Sequence, residues 1–480
     1  MYTKLSIHLI FVVLVHNATA LQVCGADQRQ ISAAELADKI KGGLVGQILG
    51  NLNGLPHEMK YIAEPGSVAD YTPALPEGAR TDDDTDLEWL YVCEIQKTRQ
   101  PLTPPQRIVQ LWQNHVNEGI WCANRYARDL MDLGFEPPWT GRVALNPWAE
   151  FNLSGQFLCE SFGLMSPGLP QTASRLGVHH TQVAVDQEPL QTTQFFATII
   201  ACAFFESDLD TLLDLGLQAV DADSRTAAVV RQARLICQQH PSDWRAARQA
   251  FKDQWQIHNG GVRDWNGYEL NTACTIAALY YGQGNLRDTL QLAFNLGWDC
   301  DNNAATAATI IGVLKGNRWI EAQQWNIKDR YRNTTRRGMP TEETISTFSA
   351  RIVACAELIL LQHGGTLLEI DGVPSYHIPA EPPRNILPLA APELRKAELL
   401  QLLSANEKQN LTGAETERAR IAYLAICLGQ SQRLAVEYPA AWAAALGSLR
   451  KQTAVLKNIQ EAPLPSGEAI QQAFATSGLN

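Results

Sequence analysis

The chain has 480 residues, with 39 Lys and Arg against 50 Asp and Glu, a formal net charge of -11. That length allows one large domain and a smaller one, and acidity without a basic run excludes a firm grip on nucleic acid or on an anionic membrane. A small molecule or a protein is the substrate class left open.

Met1 to Ala20 carries a single lysine at position 4, an apolar run from Leu5 to Val15, and Ala18-Thr19-Ala20 as a small-residue cleavage site. The pattern predicts a secretory signal peptide over 1–20, hence a secreted or periplasmic protein with no membrane span in the mature chain. An uncleaved anchor is the alternative. Cleavage would leave 460 residues (480 minus 20) at -12, since 38 basic residues then face 50 acidic ones. The ten cysteines show no CxxC pairs, and Cys93, Cys202, Cys274, Cys355 and Cys427 sit among apolar residues. At most two disulfides and no cysteine chemistry are expected.

From 31 to about 361, apolar residues recur at spacings of three and four between Pro and Gly breaks, which predicts an all-α, multi-helix bundle. Its first helix carries Gly42, Gly46, Gly50 and Gly54, ends at Pro56 and is followed by Glu58. Each glycine costs a helix about 1 kcal/mol relative to alanine, so another backbone is expected to pack closely along that row. Next comes Asp82-Asp83-Asp84-Thr85-Asp86 at the head of a second helix, with Thr85 expected to cap it. Three consecutive carboxylates repel one another, and a compact fold keeps them together only where a cation neutralises them. Trp139 and Trp148 fall in a loop-like stretch over 137–155, and the His179-His180 pair lacks a third zinc ligand at helical spacing and reads as a loop feature. Helices are predicted over 192–206, 208–220, 224–240, 270–281 and 286–296.

A second acidic head follows in Gly297-Trp298-Asp299-Cys300-Asp301-Asn302, ahead of a helix whose Ala304, Ala308, Gly312 and Gly316 lie at i, i+4 spacing. Asp301 or Asn302 is the expected N-cap, and the glycine-rich helix is the expected partner of this small-residue row. Both acidic heads offer only oxygen ligands and no histidine, which selects a hard ion such as Mg²⁺, Mn²⁺ or Ca²⁺ over zinc.

Lys328-Asp329-Arg330-Tyr331-Arg332 with Arg336-Arg337 is the one basic concentration, read as a solvated helix end that could instead meet a pyrophosphate. Asn-x-Ser/Thr sequons stand at Asn152, Asn333 and Asn410. Beyond 361 a hairpin with an Asp-Gly turn is predicted over 366–378, then a proline-rich linker to 392. A helical extension over 393–480 follows, with two or three amphipathic helices, clearest over 414–434 and 440–459, and a loosely ordered tail after Pro463. No partner can be named for these C-terminal helices. No nucleotide-binding glycine loop after a strand and no serine-nucleophile elbow occur.

Gly46 to Glu58, the Asp-Asp-Thr at 83 to 85, and Gly-Trp-Asp-Cys-Asp-Asn at 297 to 302 resemble, in order, the three sequence blocks of the ADP-ribosylglycohydrolase family. Phe162-Gly163-Leu164-Met165-Ser166-Pro167-Gly168 before a helix adds to the resemblance, which spans about 31 to 361. It implies an all-α orthogonal bundle with a binuclear Mg²⁺ site, Mn²⁺ being possible. The implied reaction cleaves the bond between the distal ribose of ADP-ribose and an acceptor. By position, Asp83 and Asp84 would match the first pair of ligand aspartates, Asp299 and Asp301 the second, and Glu58 the glutamate that closes over the ribose. Three positions depart from the family: Asp82 replaces Thr or Ser, Asn302 replaces Thr, and Asn51 replaces Asp, the last read as a structural change.

Cleavage at a ribose anomeric carbon passes through an oxocarbenium-like state and needs a water delivered to that carbon and a carboxylate to take its proton. Glu58, Asp84 and Asp299 are the candidate catalytic residues. Asp82, Asp83, Asp84, Asp299, Asp301 and Asn302 are the candidate metal ligands. Glu58 and Trp298 are the candidate substrate contacts. Two other readings stay open: an N-glycosidase of another ribosyl compound, and a binding or structural protein that has lost turnover.

Overall fold

Four glycines decide the centre of this fold. They line one face of the helix Ala33–Gly54, capped by the Ser32 hydroxyl, which accepts from Glu35 N–H. The computed structural model of the protein describes residues 28–405 and 407–479. The predicted signal peptide and Cys24 lie outside the described residues.

The helix Cys300–Lys315 packs antiparallel against that face. A Cβ added to Gly42 would stand 2.4 Å from Gly312 O, and one on Gly46 would stand 2.1 Å from Ala308 O. On Gly50 it would be 2.4 Å from Ala304 C, and on Gly54 2.4 Å from Asp301 Cα. The expected pairing of the two small-residue rows is therefore present, and nothing larger than hydrogen fits between them. Close van der Waals contact along the whole seam offsets the helix propensity lost to the glycines. Both helices are buried on nearly every face, the mark of central elements of an all-α core. The helices Asp83–Thr98, Tyr268–Gly282, Leu286–Leu296 and Ile345–Gln362 surround them.

Helix existence follows the sequence pattern, while the ends move by a few residues. Leu286–Leu296 matches its predicted span, and Ser224 caps Arg225–Gln239 through its hydroxyl. The helix predicted from 192 starts earlier, at Glu188, because Pro189 sits in its first turn where a missing N–H costs nothing. His179 and His180 lie in the last turn of a helix, Pro170–Thr181, not in a loop. His180 stacks on Phe162 at 4.5 Å, and burial holds its imidazole well below the ordinary range, so it is a neutral core residue. The nine described cysteines are free thiols.

The predicted hairpin is present as Thr366–Ile370 and Val373–Ile378, joined through Asp371 and Gly372, both at positive φ. Unforeseen in the sequence reading, Arg29–Ser32 adds a third antiparallel strand to it. The proline-rich segment is strapped to the bundle. Glu381 accepts from Thr172 N–H and Oγ1, and Leu387 O accepts from both Gln191 and Gln194. Among the described residues, Ile345–Gln362 is the helix long and apolar enough to cross a membrane, yet its Phe348, Ile352, Cys355 and Ile359 are core residues.

The C-terminal extension departs most from expectation. The span predicted as one helix over 414–434 is Glu415–Cys427 and Ser431–Glu437, broken at Gly429, which sits at φ 70. The span over 440–459 is Pro439–Arg450 and Thr453–Glu461. The tail after Pro463 forms a further helix, Glu468–Ala475, whose Ile470 and Phe474 are buried. These helices enclose a second apolar core that takes in Tyr126, Leu130, Phe135 and Leu145 from the main bundle. Trp139 packs against that core.

Candidate active site

Each acidic cluster is set in place by the backbone before its helix. Two short strands, Ala79–Arg80 and Tyr331–Arg332, pair in parallel and deliver the chain to Asp82, which takes the N-cap position of Asp83–Thr98. At the other head the helix begins at Cys300, so Asp299 is the N-cap rather than Asp301 or Asn302. Gly297, at φ 88, makes the turn possible, since a Cβ there would meet Tyr61 O at 2.0 Å. Neither Asp82 nor Asp299 makes a side-chain capping bond. Their carboxylates are thus not spent on closing helix ends, which removes the plain reading of both clusters as capped helices.

The antiparallel seam brings the two heads together. Carboxylate oxygens of Asp82, Asp84 and Asp301 lie within 4.8 Å of one another, as do those of Glu58, Asp299 and Asp301, so that Asp301 belongs to both groups. Asp84, Asp299 and Asp301 are buried at 6%, 8% and 3% exposure. Loss of hydration, then the charge of neighbouring carboxylates, pushes all three well above the ordinary carboxylate range. Asp83, half-buried beside them, is pushed the same way, chiefly by lost hydration and by Asp82. Glu58 is raised by burial and by Asp82. Its backbone N–H is anchored to Gly54 O at 3.1 Å, at the end of the glycine seam.

Buried carboxylates in this number are costly, and Arg80, 3.3 Å from Asp82 and itself 43% exposed, offsets only the outermost of them. Asp301 Oδ1 and Asn51 Oδ1 are also buried without a hydrogen-bond partner. The donor set is oxygen throughout, and the residues fit two hard divalent cations that share Asp301.

Asn51 is more than a structural change. Its Nδ2 donates to Asp82 at 2.9 Å, to Asp84 at 3.1 Å and to Asp301 at 3.4 Å, which places the amide among three carboxylates. Gln47, one helical turn back, donates to Asp84 O and to buried Glu88. The sequence signal was two polar residues at i, i+4 in the otherwise apolar stretch Gly42 to Leu52. Asn266 donates to Asp299 Oδ2 at 3.2 Å and accepts from Asn152. The Asn152 sequon is therefore an internal hydrogen-bonding position at 1% exposure, with no room for a glycan.

Three site readings need correction. Asn302 lies one residue round the helix from Asp301, so it points into the core, where its Oδ1 accepts from Gln156 at 2.9 Å. Trp298 is fully buried, with the Arg248 guanidinium 4.3 Å over its ring and its indole N–H donated to Gln256. It braces the Gly297 turn and presents no face to a ligand. Thr85 sits inside the first turn rather than at the cap, and its hydroxyl shares a hydrogen bond with Tyr331 at 3.0 Å. The basic concentration over 328–337 is not a helix end. Its Arg336 is buried, 2.7 Å from Asp86, and also donates to Glu118 O and Gly119 O.

A cavity of about 680 Å³ opens onto the acidic floor. Glu58, Asp82, Asp83, Asp84, Asp299 and Asp301 all line it. Its aromatic walls are Trp121, Tyr126, Trp148, Phe157 and Trp265.

A sequence profile of the ADP-ribosylglycohydrolase family matches residues 32–355. The chain belongs to the ADP-ribosylglycohydrolase family. A solved chain from an ADP-ribosylglycohydrolase-related protein complex is similar at 16% identity and a TM-score of 0.44, covering 68% of this chain and 99% of that one. No curated protein matches this sequence. ADP-ribosylglycohydrolases are metal-dependent glycosyl hydrolases, and the oxygen-rich floor formed by Asp82, Asp84, Asp299 and Asp301 is where metal ions could bind. Two further lining residues, Asn458 and Glu461, lie outside the span matched to the ADP-ribosylglycohydrolases.

Proposed function

We propose that the protein is a hydrolase with a binuclear Mg²⁺ site that cleaves the bond between the distal ribose of ADP-ribose and an acceptor. The observation that carries this reading is the sharing of Asp301 between two carboxylate groups at the floor of a nucleotide-sized cavity. Asp82, Asp84 and Asp301 would hold one cation, and Asp299, Asp301 and Glu58 the other, with Asp83 beside them. Bound there, such ions supply Lewis acidity toward ribose hydroxyls and water.

The chain's own residues supply the remainder. Asn266 orients the Asp299 carboxylate, and Asn51 holds Asp82, Asp84 and Asp301 in one arrangement. The Glu58 carboxyl, pushed up by burial and by Asp82, lines the cavity and is suited to take a proton from the attacking water. Trp121, 61% exposed with Arg125 beside its ring, is suited to stack on adenine.

A second reading, hydrolysis of a neutral nucleoside, is favoured by charge. Seven carboxylates line the cavity against one arginine, Arg125, which is a thin provision for a diphosphate. Export through residues 1–20 is part of the proposal and makes extracellular substrates the ones to screen.

The test is calorimetric titration of Mg²⁺ and then ADP-ribose into the mature chain and into Asp299→Ala/Asp301→Ala. ADP-ribose binding that requires both the metal and the two aspartates supports the reading. A wild-type chain that binds Mg²⁺ but not ADP-ribose, and hydrolyses nucleosides, would move the assignment to the second.

A further inference from the structure

One wall of the cavity comes from the C-terminal extension, beyond the span shared with the family. The helix Thr453–Glu461 lies against Cys122–Asp132, and Asn458 Nδ2 donates to Asp129 Oδ2 at 2.5 Å. Past its end, Ser466 donates to Glu150 at 2.5 Å, and Arg263 pairs with the same carboxylate at 2.6 Å. Behind it, the Tyr423 hydroxyl meets the Tyr126 hydroxyl at 2.9 Å and donates to Leu145 O at 2.6 Å. These buried and half-buried polar contacts hold the extension in one position on the bundle, so the wall is a built part of the site.

Its distance from the acidic floor can be read along one helix. Cys122, at the start of Cys122–Asp132, lines the cavity together with Asp299 and Asp83. Asp129, where Asn458 docks, is seven residues on, which is about 10 Å at 1.5 Å per residue. A separation of that order can hold a ribose between the floor and the wall.

The wall is richer in acceptors than in donors. One amide N–H of Asn458 is committed to Asp129, which leaves its carbonyl oxygen and its second N–H as the groups it can present. Glu461 adds a carboxylate whose partner, Lys457, stands 3.5 Å away on exposed surface, where such pairs contribute little. The Asn458 carbonyl and the Glu461 carboxylate are both acceptors and outnumber the one N–H left to Asn458. The cavity's one arginine, Arg125, stands instead beside Trp121.

We propose that Asn458 and Glu461 are specificity-determining residues that read the leaving group. They accept hydrogen bonds from a donor-rich, nitrogen-linked group, while a diphosphate is turned toward Arg125. The inference rests on the glycohydrolase reading. Discrimination follows from two terms: an N–H donor meets its acceptor, and an anionic group would face the Glu461 carboxylate with only the exposed Lys457 near it.

The full mature chain is assayed with two substrates, ADP-ribose linked through a guanidine nitrogen and ADP-ribose linked through a hydroxyl oxygen. Variants are Glu461→Lys, Glu461→Gln and Asn458→Ala. Glu461→Lys should raise KM for the nitrogen-linked substrate about fivefold with little change in kcat. Glu461→Gln, still an acceptor, should fall between it and wild type. Affinity for free ADP-ribose with Mg²⁺, measured in each variant, should stay at the wild-type value and reports an intact fold. Unaltered KM in all three variants, with ADP-ribose binding retained, overturns the wall assignment and leaves the glycohydrolase reading standing. A wild-type chain that neither binds ADP-ribose nor cleaves either substrate overturns both.

Discussion

Replacing Gly50 by alanine tests whether the glycine seam builds the site as well as the core. The new methyl would stand 2.4 Å from Ala304 C and Ala305 N, both backbone atoms with no rotamer to escape into. Non-bonded carbons rest at about 3.5–4.0 Å, so the helices must part by about 1 Å. Overpacking of this kind costs about 1–3 kcal/mol, at the upper end when backbone has to move. Alanine's better helix propensity returns about 1 kcal/mol. Crowding wins, and a net loss of about 2 kcal/mol is expected in urea unfolding. The same displacement carries Asp301 away from Asp84, whereas metal ligands tolerate only about 0.2 Å, so Mg²⁺ affinity should fall 10- to 100-fold, the range seen when groups that orient ligands are lost. Gly447→Ala is the control. It lies in the helix Pro439–Arg450 with nothing within 4 Å of the added methyl. That change should stabilise by about 0.5–1 kcal/mol and leave Mg²⁺ binding alone. If Gly50→Ala behaves like Gly447→Ala in both assays, the seam does not align the two acidic heads and the argument fails.

Two more expectations concern buried charge. Asp84, Asp299 and Asp301 are held well above the ordinary range in the fold by lost hydration and mutual repulsion. In the unfolded chain they titrate near 4. Their folded pKa is the higher one, so their contribution to stability is greatest below pH of about 4 and is lost as pH rises through the folded values. The metal-free protein should therefore melt higher at pH 5 than at pH 7, and Mg²⁺ should raise the melting temperature more at pH 7 than at pH 5. A Mg²⁺ effect that does not grow with pH would speak against ligation by these groups. Arg336→Met leaves Asp86 buried without its cation, although Thr335 still donates to it. Asp86 is pushed up to about 6 even with Arg336 in place. A loss of about 3–5 kcal/mol is expected, partly recovered by Asp86→Asn in the same chain. A loss below about 1 kcal/mol would show the pair to be dispensable.

The all-α class was legible because helices announce themselves through local periodicity, which tertiary contacts modify only at the ends. The pairing of the glycine row with the alanine-glycine row was legible for the same reason. A stripe without side chains at i, i+4 is costly unless another backbone fills it, and the chain contains two such stripes. The acidic heads Asp82 to Asp86 and Asp299 to Asp301 stood out because adjacent carboxylates demand compensation wherever they are placed.

What the sequence determined by itself was therefore the chemistry and the elements: oxygen ligands, two helix heads and a seam to join them. Direction was left to the tertiary structure. Whether a side chain next to Asp301 faces the cavity or the core depends on about 100° of helix rotation, and that rotation is set by what packs behind. Asn302 and Trp298 were turned inward by Gln156 and Arg248, while Asn51 was turned toward the carboxylates. Distance along the chain hid the rest. Asn458 lies more than three hundred residues from Asp129, and nothing in the local pattern of either says that they meet. Only the folded chain, by docking the C-terminal helices on Tyr126 and Leu145, decided that the extension would close one side of the cavity.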